Sequence, residues 1–381
     1  MRNGTKAVQA CMVLIFAGLL LLPLFTFRFT GAEKNDTEKR VLEDFPSFHD
    51  FRRRIADREI QKETENWMND HIGFRDSSRD LYFRMIHGVL KLSTSGAVIF
   101  GLEDWLFYTM NENLSIARGA YPLTDERIKT ILDRQEQIQG EYSERGIQYH
   151  LLLTPSKVSI YSEYLPFHDV NLQHLPADQI EHAMKENGAE YVINTGHFLA
   201  EQKAANGNIR LFFKTDTHWN ARGSYYAYAC TIRRIKEGER AIEVSFSDTG
   251  SRQGDLNQML GLTGKEFCET APVPEYEWHS VQQKPDQELS GIVRRQHEKQ
   301  GSAYSEPLVY YNKEKAGSGT LVIYGDSMMG EWLYFPRYMA EHFEKVVVLR
   351  LRCPEPETEE YLKTTHVLFQ TTERFIVPAL L

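Results

Sequence analysis

A serine in this sequence has the surroundings that nucleophilic catalysis requires. Ser327 lies in LVIYGDSMMGEW, where an apolar strand predicted to end at Tyr324 is followed by Gly325 and Asp326. The pattern then predicts a helix beginning near Met328. A serine at such a junction lies beside the free N–H groups of the first helical turn, which are suitable donors to a developing oxyanion. The alternative is that Asp326 and Ser327 only cap the helix, as these residue types often do.

A histidine and an aspartate share a second short segment, FFKTDTHWN. Asp216 and His218 are two residues apart, and side chains at that spacing point the same way in an extended or turning backbone. The carboxylate would then hold the Nδ1–H group, leaving Nε2 to act as a base. The alternatives are an ordinary surface pair or part of a metal site. Because no HxxxH or HExxH motif is present, we predict no metal ligands.

The two segments together indicate one site. A serine hydroxyl is a weak nucleophile that needs an adjacent base, and the base needs an acid that orients it. We expect both segments at strand ends of one sheet. They therefore predict an acyl-ester transfer site in which Ser327 is the nucleophile, His218 the base and Asp216 the orienting acid. This chemistry needs no metal ion and no organic cofactor.

Alternating helices and strands after about residue 90 predict the scaffold of this site. Helices are predicted over 124–146, 178–186 and 220–236, and strands over 147–154, 191–194, 320–324, 346–350 and 366–370. This alternation is typical of an α/β fold in which helices cover both faces of a mostly parallel sheet. A hairpin is predicted over 97–108. Residues 238–318 lack the pattern, and we interpret them as an irregular insertion with short antiparallel strands.

The N-terminal segment has the composition of a membrane anchor. Residues 8–27 are nearly all apolar, and about twenty such residues in a helix span a bilayer core of roughly 30 Å. The segment lacks a small-x-small exit, so a signal anchor over 8–28 is favoured over a cleaved signal peptide. It follows a short head, 1–7, and precedes a charged segment, 29–90. We interpret 29–90 as a helical juxtamembrane stalk; for its first half a solvated linker helix is the alternative.

Composition restricts the partners. The net charge is -9 and no long basic run follows the anchor, so nucleic acid is excluded as a partner. Three cysteines follow the anchor, Cys230, Cys268 and Cys353, without CxxC or zinc spacing. One disulfide with one remaining thiol, or three buried thiols, are both compatible with the sequence.

The two segments also resemble a known family. GDS before a helix is similar to the nucleophile block of SGNH hydrolases, and DTHW is similar to their Asp/His block, but here the pair precedes the serine. This permuted order resembles the alginate O-acetyltransferase family of AlgJ- and AlgX-like, or DHHW-type, proteins. Four further stretches fit that family: FGLEDWLFY, LLLTPSKVSIYSEYLP, GDLNQMLGL and TERF. The resemblance extends from about residue 65 to the end of the sequence. Asp104 replaces a common glycine, Pro336 interrupts the helix after the serine, and the second oxyanion donor is not identified.

The resemblance implies a three-layer α/β/α SGNH-like catalytic domain over 91–381 that moves acetyl groups onto or off polysaccharide hydroxyls. Asp216 and His218 match the Asp and His of the family, and Ser327 would carry the acetyl group as an ester. Lys157 follows a predicted strand end and is a candidate substrate-binding residue, with a solvated lysine as the alternative. Trp219 is a candidate sugar platform or a packing residue.

The sequence and the resemblance together predict a function. We expect a single-pass membrane protein with an extracytoplasmic body that acetylates an exopolysaccharide or a cell-wall glycan through an acetyl-serine. The resemblance implies a polytopic membrane O-acyltransferase as the partner that supplies the acetyl group. The alternatives are a glycan acetyl esterase with the same three residues, and a non-catalytic polysaccharide-binding or scaffold protein.

Overall fold

The computed structural model divides the chain into two compact units. These are Met1–Lys91 and Leu92–Leu381. The structure describes residues 12–18, 21, 34–35, 40–41, 44–46, 55, 58–207, 209–351 and 356–381. Much of the predicted anchor, and most of the first half of the predicted stalk, lie outside these residues. Within the described part of the chain, no helix has the length and apolar character needed to cross a membrane.

The first unit is mainly helical in its described part. Strands β1 (Lys34–Asn35) and β2 (Arg40–Val41) pair, and helices α1 (Glu59–His71) and α2 (Arg75–Phe83) lead into a π-helical turn, Arg84–Val89. Ile60, Trp67 and His71 are buried on α1, at spacings that place them on one helix face. The second half of the segment predicted as a stalk is thus helical.

Eleven strands are described in the second unit. They are β3 (Val98–Phe100), β4 (Leu106–Tyr108), β5 (Gln148–Thr154), β6 (Val192–Asn194), β7 (Ser245–Gln253), β8 (Cys268–Glu275), β9 (Val281–Gln283), β10 (Leu308–Tyr311), β11 (Thr320–Tyr324), β12 (Lys345–Leu349) and β13 (His366–Thr372). Strands β3 and β4 form the predicted hairpin. Seven others form one sheet in the order β6-β5-β13-β11-β12-β10-β9, in which the first five are parallel and the last two pairings are antiparallel. The predicted mostly parallel sheet is confirmed.

Helices lie on both faces of this sheet. They are α3 (Asn113–Ala117), α4 (Asp125–Glu144), α5 (Lys157–Ile160), α6 (Pro176–Glu186), α7 (Gly196–Ala205), α8 (Ala221–Ile235), α9 (Asp255–Met259), α10 (Gln287–Lys299), α11 (Phe335–Ala340), α12 (Pro356–Tyr361) and α13 (Ile376–Leu380). Leu151 and Leu153 of β5 pack in the cluster that includes α4 and α6, whereas Leu152 packs in the cluster that includes α8 and α11. Successive side chains of a strand alternate between the faces, so three layers result.

Two of the predicted helices begin at a capping side chain. Thr124 accepts a hydrogen bond from the N–H of Arg127, and Asn220 accepts from the N–H groups of Arg222 and Gly223. Both helices begin where the sequence predicts, because a short polar side chain there satisfies N–H groups that the helix leaves unpaired.

The segment 238–318 contains more regular structure than the predicted irregular insertion. The antiparallel strands expected there are present as β7 and β8, while β9 and β10 extend the main sheet. Helix α10 was not predicted; Asp286 caps it and Leu289, Ile292 and Val293 are its buried apolar face. Strand β7, SFSDTGSRQ, is polar and has no fully buried residue, so it lacks the apolar run that identifies a core strand.

Candidate active site

Ser327 follows β11, the central strand of the sheet. Gly325 lets the backbone of the turn pack closely against Met329, because a Cβ there would lie 2.5 Å from Cγ of Met329. The carboxylate of Asp326 holds the turn: Oδ1 accepts from the N–H of Met328 (2.8 Å) and Oδ2 from the N–H of Thr372 (2.9 Å). Asp326 is therefore the capping residue, and the Ser327 side chain, half-buried at the carboxyl edge of the sheet, does not take that role.

The helix predicted to begin near Met328 is not formed. The chain makes two short 3-10 turns, Ser327–Met329 and Glu331–Leu333, before α11 begins at Phe335. Pro336 lies in the first turn of α11, where a missing N–H costs nothing, so it neither kinks nor ends that helix. The prediction was wrong because the sequence gives no sign of the left-handed residue, Tyr334 (φ 66°), that separates the turns from α11.

The imidazole of His218 and the carboxylate of Asp216 form a buried pair. Nδ1 of His218 lies 2.6 Å from Oδ1 of Asp216, which also accepts the backbone N–H of His218 at 3.1 Å. Asp216 is 0% exposed and His218 is 8% exposed. Nε2 of His218 is buried and has no hydrogen-bond partner among the described residues. The predicted pairing of Asp and His is present, while Nε2 and the Ser327 hydroxyl are not hydrogen-bonded in this structure.

The charge state of Asp216 follows from its partners. Burial by itself raises the pKa of this carboxyl, but the hydrogen bonds from His218 and the charges of His218 and Arg252 outweigh burial and lower the pKa to about 2. The residue is thus a carboxylate at neutral pH, as the orienting acid of a serine–histidine site must be.

The loop between α7 and α8 carries this pair. Phe212 and Trp219 form an isolated antiparallel bridge at its base, and the N–H of Asn220 donates to the carbonyl of Leu211 at 2.8 Å. The expectation that the pair follows a strand of the main sheet is therefore wrong. The apolar residues before Asp216 belong to the loop base, where their burial produces the same sequence signal as a strand.

The side chain of Lys157 holds the backbone of this loop in place. The side chain is 4% exposed, and Nζ donates to the carbonyls of Phe213 (3.2 Å), Lys214 (3.1 Å) and Asp216 (2.7 Å). Burial lowers the pKa of Lys157 to about 8, against the opposing charges of nearby carboxylates. Lys157 is close to the site, as predicted, but three carbonyls match its three ammonium protons. Its contact with substrate stays a prediction.

Trp219 is a packing residue in this structure. Its side chain is 0% exposed, and its ring stacks on Phe335 with ring centroids 6.1 Å apart. No face of the ring is open to solvent, so the packing supports the alternative of a core residue. A role as a sugar platform stays a prediction without support from these contacts.

The first residue of α9, Asp255, also holds the pair. The N–H of Asp255 donates to Oδ2 of Asp216 (3.1 Å), and the carboxylate of Asp255 accepts the N–H (2.7 Å) and hydroxyl (2.5 Å) of Thr217. Gly254 is required here because a Cβ would lie 1.9 Å from the carbonyl oxygen of Thr215. Burial and the charge of Asp216 raise the pKa of Asp255.

Arg252 and Trp332 complete the surroundings of the pair, and sequence reasoning missed both. Arg252 donates from Nε and Nη2 to Oδ2 of Asp216, each at 3.3 Å, and its Cζ lies 3.4 Å from the ring centroid of Trp332. The Trp332 ring lies edge-on to the imidazole of His218, with centroids 5.2 Å apart. It also lies beside the serine turn, since a Cβ on Gly330 would be 3.0 Å from Trp332 Nε1 and 3.3 Å from the carbonyl of Ser327.

Three residues of the site have the ligand types of a metal centre. One donor atom each of Asp216, His218 and Asp255 lies within 4.8 Å of the others. Both oxygens of Asp216 already accept hydrogen bonds, Oδ1 from His218 and Oδ2 from Arg252 and Asp255. These bonds satisfy the carboxylate without a cation, so the arrangement fits a general base and its orienting acid. Cys230 and Cys268 are free thiols, and Cys353 lies outside the described residues.

The sheet and its two helical layers are those of an SGNH hydrolase-like domain. Residues 98–306, more than half of the chain, match the family described as SGNH hydrolase-like domain, acetyltransferase AlgX. The chain therefore belongs to this family. The resemblance found in the sequence is confirmed. The matched range contains Asp216, His218 and Asp255, and Ser327 lies beyond it.

Curated relatives and solved structures are similar to this chain. The probable alginate O-acetylase AlgJ of Pseudomonas putida is 25% identical over 193 residues, covering 49% of this chain and 48% of the relative. The protein of the same name from Pseudomonas syringae pv. tomato is 23% identical over 265 residues, covering 68% and 62%. The chain thus spans about half to three fifths of the length of these relatives.

Two solved structures are similar over most of their length. One is the O-acetyltransferase domain of Pseudomonas putida AlgJ, at 16% identity with a TM-score of 0.46, covering 74% of this chain and 92% of that one. The other is Bacillus cereus PatB1 with a sulfonyl adduct, at 15% identity with a TM-score of 0.49, covering 73% and 97%.

Proposed function

We propose that this chain transfers acetyl groups onto hydroxyls of an exopolysaccharide or a cell-wall glycan through an acetyl-Ser327 intermediate. The observation that carries the proposal is the buried Asp216–His218 pair, in which Nδ1 is bound to the carboxylate and Nε2 has no partner among the described residues. A base in this state has the tautomer that accepts a proton at Nε2, because the carboxylate fixes the proton on Nδ1.

The reaction has two half-steps. Nε2 of His218 removes the Ser327 proton while Oγ attacks the acetyl carbonyl of the donor; the donor alcohol then leaves with that proton, and acetyl-serine remains. In the second half-step His218 takes the proton of a glycan hydroxyl, whose oxygen attacks the acetyl-serine. The proton returns to Ser327 as the acetylated glycan leaves. Asp216 stabilises the imidazolium that forms in each half-step.

The contacts of Trp332 support a shared site for base and nucleophile. This ring touches the imidazole of His218 and lies beside the turn that begins at Ser327. The hydrogen bond from the Ser327 hydroxyl to Nε2 forms as substrate enters, since catalytic hydrogen bonds are often long or absent in a free enzyme.

The proposal also includes the location of the protein, its acetyl donor and its acceptor. The apolar run at 8–28 supports a single-pass signal anchor with residues 91–381 extracytoplasmic, and residues 29–90 as the stalk between them. The acetyl donor is a polytopic membrane O-acyltransferase. The names of the relatives, alginate O-acetylases, support a polysaccharide acceptor, and alginate is the first acceptor to test.

One experiment tests the proposed function. The whole purified chain is incubated with 4-nitrophenyl acetate, with and without acetyl-free alginate or chitin oligosaccharides, and ester cleavage and acetylated sugar are both measured. Wild type is compared with Ser327→Ala and with Ser247→Ala, a half-buried serine on β7 that serves as the matched control. We expect cleavage and transfer in wild type and Ser247→Ala, and neither in Ser327→Ala.

The other outcomes identify the alternatives. If ester cleavage depends on Ser327 but no oligosaccharide becomes acetylated, the protein is a glycan esterase, in which water is the acceptor. If the folded wild-type chain shows neither activity, the alternative of a polysaccharide-binding or scaffold protein is supported. Cleavage that is unchanged in Ser327→Ala would overturn the proposed nucleophile.

A further inference from the structure

The backbone donors expected after Ser327 are already used. The N–H of Met328 donates to Oδ1 of Asp326 (2.8 Å), that of Met329 to the carbonyl of Asp326 (3.1 Å), and that of Gly330 to the carbonyl of Ser327 (3.2 Å). Because these N–H groups close the 3-10 turn, they are not free for an oxyanion. Apart from the N–H of Ser327 itself, a donor to the acetyl oxygen must therefore come from another element.

Arg374 lies on the chain that borders this turn. Two residues before it, the N–H of Thr372 donates to Oδ2 of Asp326 at 2.9 Å. One residue after it, Phe375 lines a cavity of about 470 Å³ that Gly325 and Asp326 also line. The residues on both sides of Arg374 are thus close to Gly325 and Asp326, the two residues before Ser327.

The guanidinium of Arg374 is buried and unpaired. The side chain is 8% exposed, Nε has no hydrogen-bond partner, and the guanidinium makes no hydrogen bond with any residue in the described part of the chain. Its Cζ lies 4.8 Å from the ring centroid of Phe375 and 6.0 Å from that of Tyr108. Burying a guanidinium without an acceptor is costly, so such a group is typical of a site whose acceptor arrives with a ligand.

The charges around Arg374 come from both halves of the candidate site. Asp326 and Asp255 are among the negatively charged groups that interact electrostatically with the Arg374 guanidinium. Asp326 directly precedes Ser327, and Oδ2 of Asp255 lies 3.6 Å from Nδ1 of His218. The guanidinium therefore interacts electrostatically with carboxylates from the serine turn and from the start of α9.

We infer that Arg374 is a catalytic residue that donates a hydrogen bond to the acetyl carbonyl oxygen, and that this bond strengthens as the oxygen becomes an oxyanion. The inference rests on the proposed function. When Oγ of Ser327 attacks, the carbonyl π electrons move to the oxygen, and the fixed guanidinium charge stabilises them. When the tetrahedral species collapses, the same electrons re-form the carbonyl and expel the donor alcohol, which carries the proton from His218. Arg374 gives up no proton in either direction, and a charge-assisted donor is stronger than a neutral one.

The test uses the whole chain and 4-nitrophenyl acetate. Arg374→Ala, Arg374→Gln and Arg374→Lys are compared with Arg337→Ala, a control arginine whose Nε is also unpaired among the described residues and whose Cζ lies 4.4 Å from the ring centroid of Trp278. Because loss of one oxyanion donor costs about 10²–10³ in kcat, we expect that loss in Arg374→Ala with KM changed less than threefold. Added guanidinium chloride at millimolar concentration should restore part of the activity of Arg374→Ala only.

The results separate this inference from the proposed function. If Ser327→Ala is inactive while folded Arg374→Ala or Arg374→Gln keeps kcat within threefold of wild type, the inference on Arg374 is overturned and the proposed function stands. A change confined to KM, or a loss that guanidinium does not restore in any variant, also overturns it, since a structural role predicts those results. If Arg374→Ala fails to fold, the kcat of Arg374→Gln, which removes less of the side chain, decides. Full activity in Ser327→Ala refutes the proposed function and this inference with it.

Discussion

The backbone N–H of Asp255 donates to Oδ2 of Asp216 over 3.1 Å, across 39 residues of sequence. The bond joins the first residue of α9 to the loop that carries His218. The orienting carboxylate is consequently fixed by two separate stretches of chain, its own loop and the GDLN segment. Pre-organisation of this kind is what a general base needs, because small displacements of catalytic groups cost large factors in rate.

Gly254→Ala tests the contact between the start of α9 and the loop that carries His218. The new Cβ would lie 1.9 Å from the Thr215 carbonyl oxygen, so these two segments must separate. We expect a loss of about 1–3 kcal/mol in the free energy of unfolding, measured by urea titration, and at least a tenfold loss of acetyl-ester turnover. Gly140→Ala is the control: it lies inside α4 with no atom within 4 Å of a new Cβ, and should be neutral or stabilising. Equal effects of the two variants would contradict the account.

Arg252→Met tests the electrostatic support of Asp216. The hydrogen bond and charge of His218, together with the charge of Arg252, outweigh burial and lower the pKa of Asp216 to about 2, so loss of Arg252 should raise that pKa. Carboxyl ¹³C NMR of the labelled chain measures it, and turnover should fall about tenfold or more. Arg222→Met is the matched control, because Arg222 makes a comparable pair with Asp248 (2.8 Å) and a ring contact with Phe246 (5.5 Å). An unchanged Asp216 pKa in Arg252→Met would rule out this role.

Lys157→Met separates positioning of the loop from binding of substrate. Three carbonyls lose their donor, and unpaired buried acceptors each cost about 1–3 kcal/mol, so the free energy of unfolding should fall by roughly 3 kcal/mol or more. Thermal and urea unfolding measure the change. If stability is unaffected while KM for the acceptor rises strongly, Lys157 acts on substrate and the positioning role is wrong.

Glu373→Gln tests a pH dependence of stability. Burial raises the pKa of Glu373 from 4.5 to about 7, although hydrogen bonds from Ser159 and Ser156 oppose the shift. The folded state therefore holds the proton more tightly than the unfolded state. This contribution is complete below pH 4.5 and is lost as pH rises through 7, with a size of roughly 3 kcal/mol at about 1.4 kcal/mol per pKa unit.

The difference in unfolding free energy between wild type and Glu373→Gln, measured by urea titration from pH 4 to 8, should thus fall as pH rises. Glu357→Gln, on a side chain that is 58% exposed, is the control and should show no such trend. A constant difference for Glu373→Gln across this range would contradict the raised pKa.

Local signals account for what the sequence could predict. The strands β5, β11 and β13 are apolar runs buried on both faces, and Thr124 and Asn220 mark helix starts with their own side chains. Each of these signals depends on a few adjacent residues. The fold class and the Asp216–His218 pair could therefore be predicted without the structure.

The features of the site that could not be predicted from the sequence depend on long-range contacts. Arg252 and Trp332 support Asp216 and His218 from distant segments, and an arginine between polar residues gives no sign that it stacks on a distant ring. Arg374 lies in the TERF segment, which supported the resemblance but gave no indication of a buried guanidinium. The predicted helix after Ser327 is replaced by 3-10 turns because the sequence gives no sign of the left-handed residue, Tyr334, that separates them from α11.

The most direct test of the central claim is mass spectrometry of the chain during turnover. The whole chain is mixed with 4-nitrophenyl acetate, quenched in acid within the first turnover, digested and sequenced by fragmentation. The account predicts one added acetyl group on Ser327 in wild type, a lower yield in His218→Ala, and none in Ser327→Ala. Ester consumption with no acetyl on Ser327, or with the acetyl on another residue of the folded chain, would contradict it.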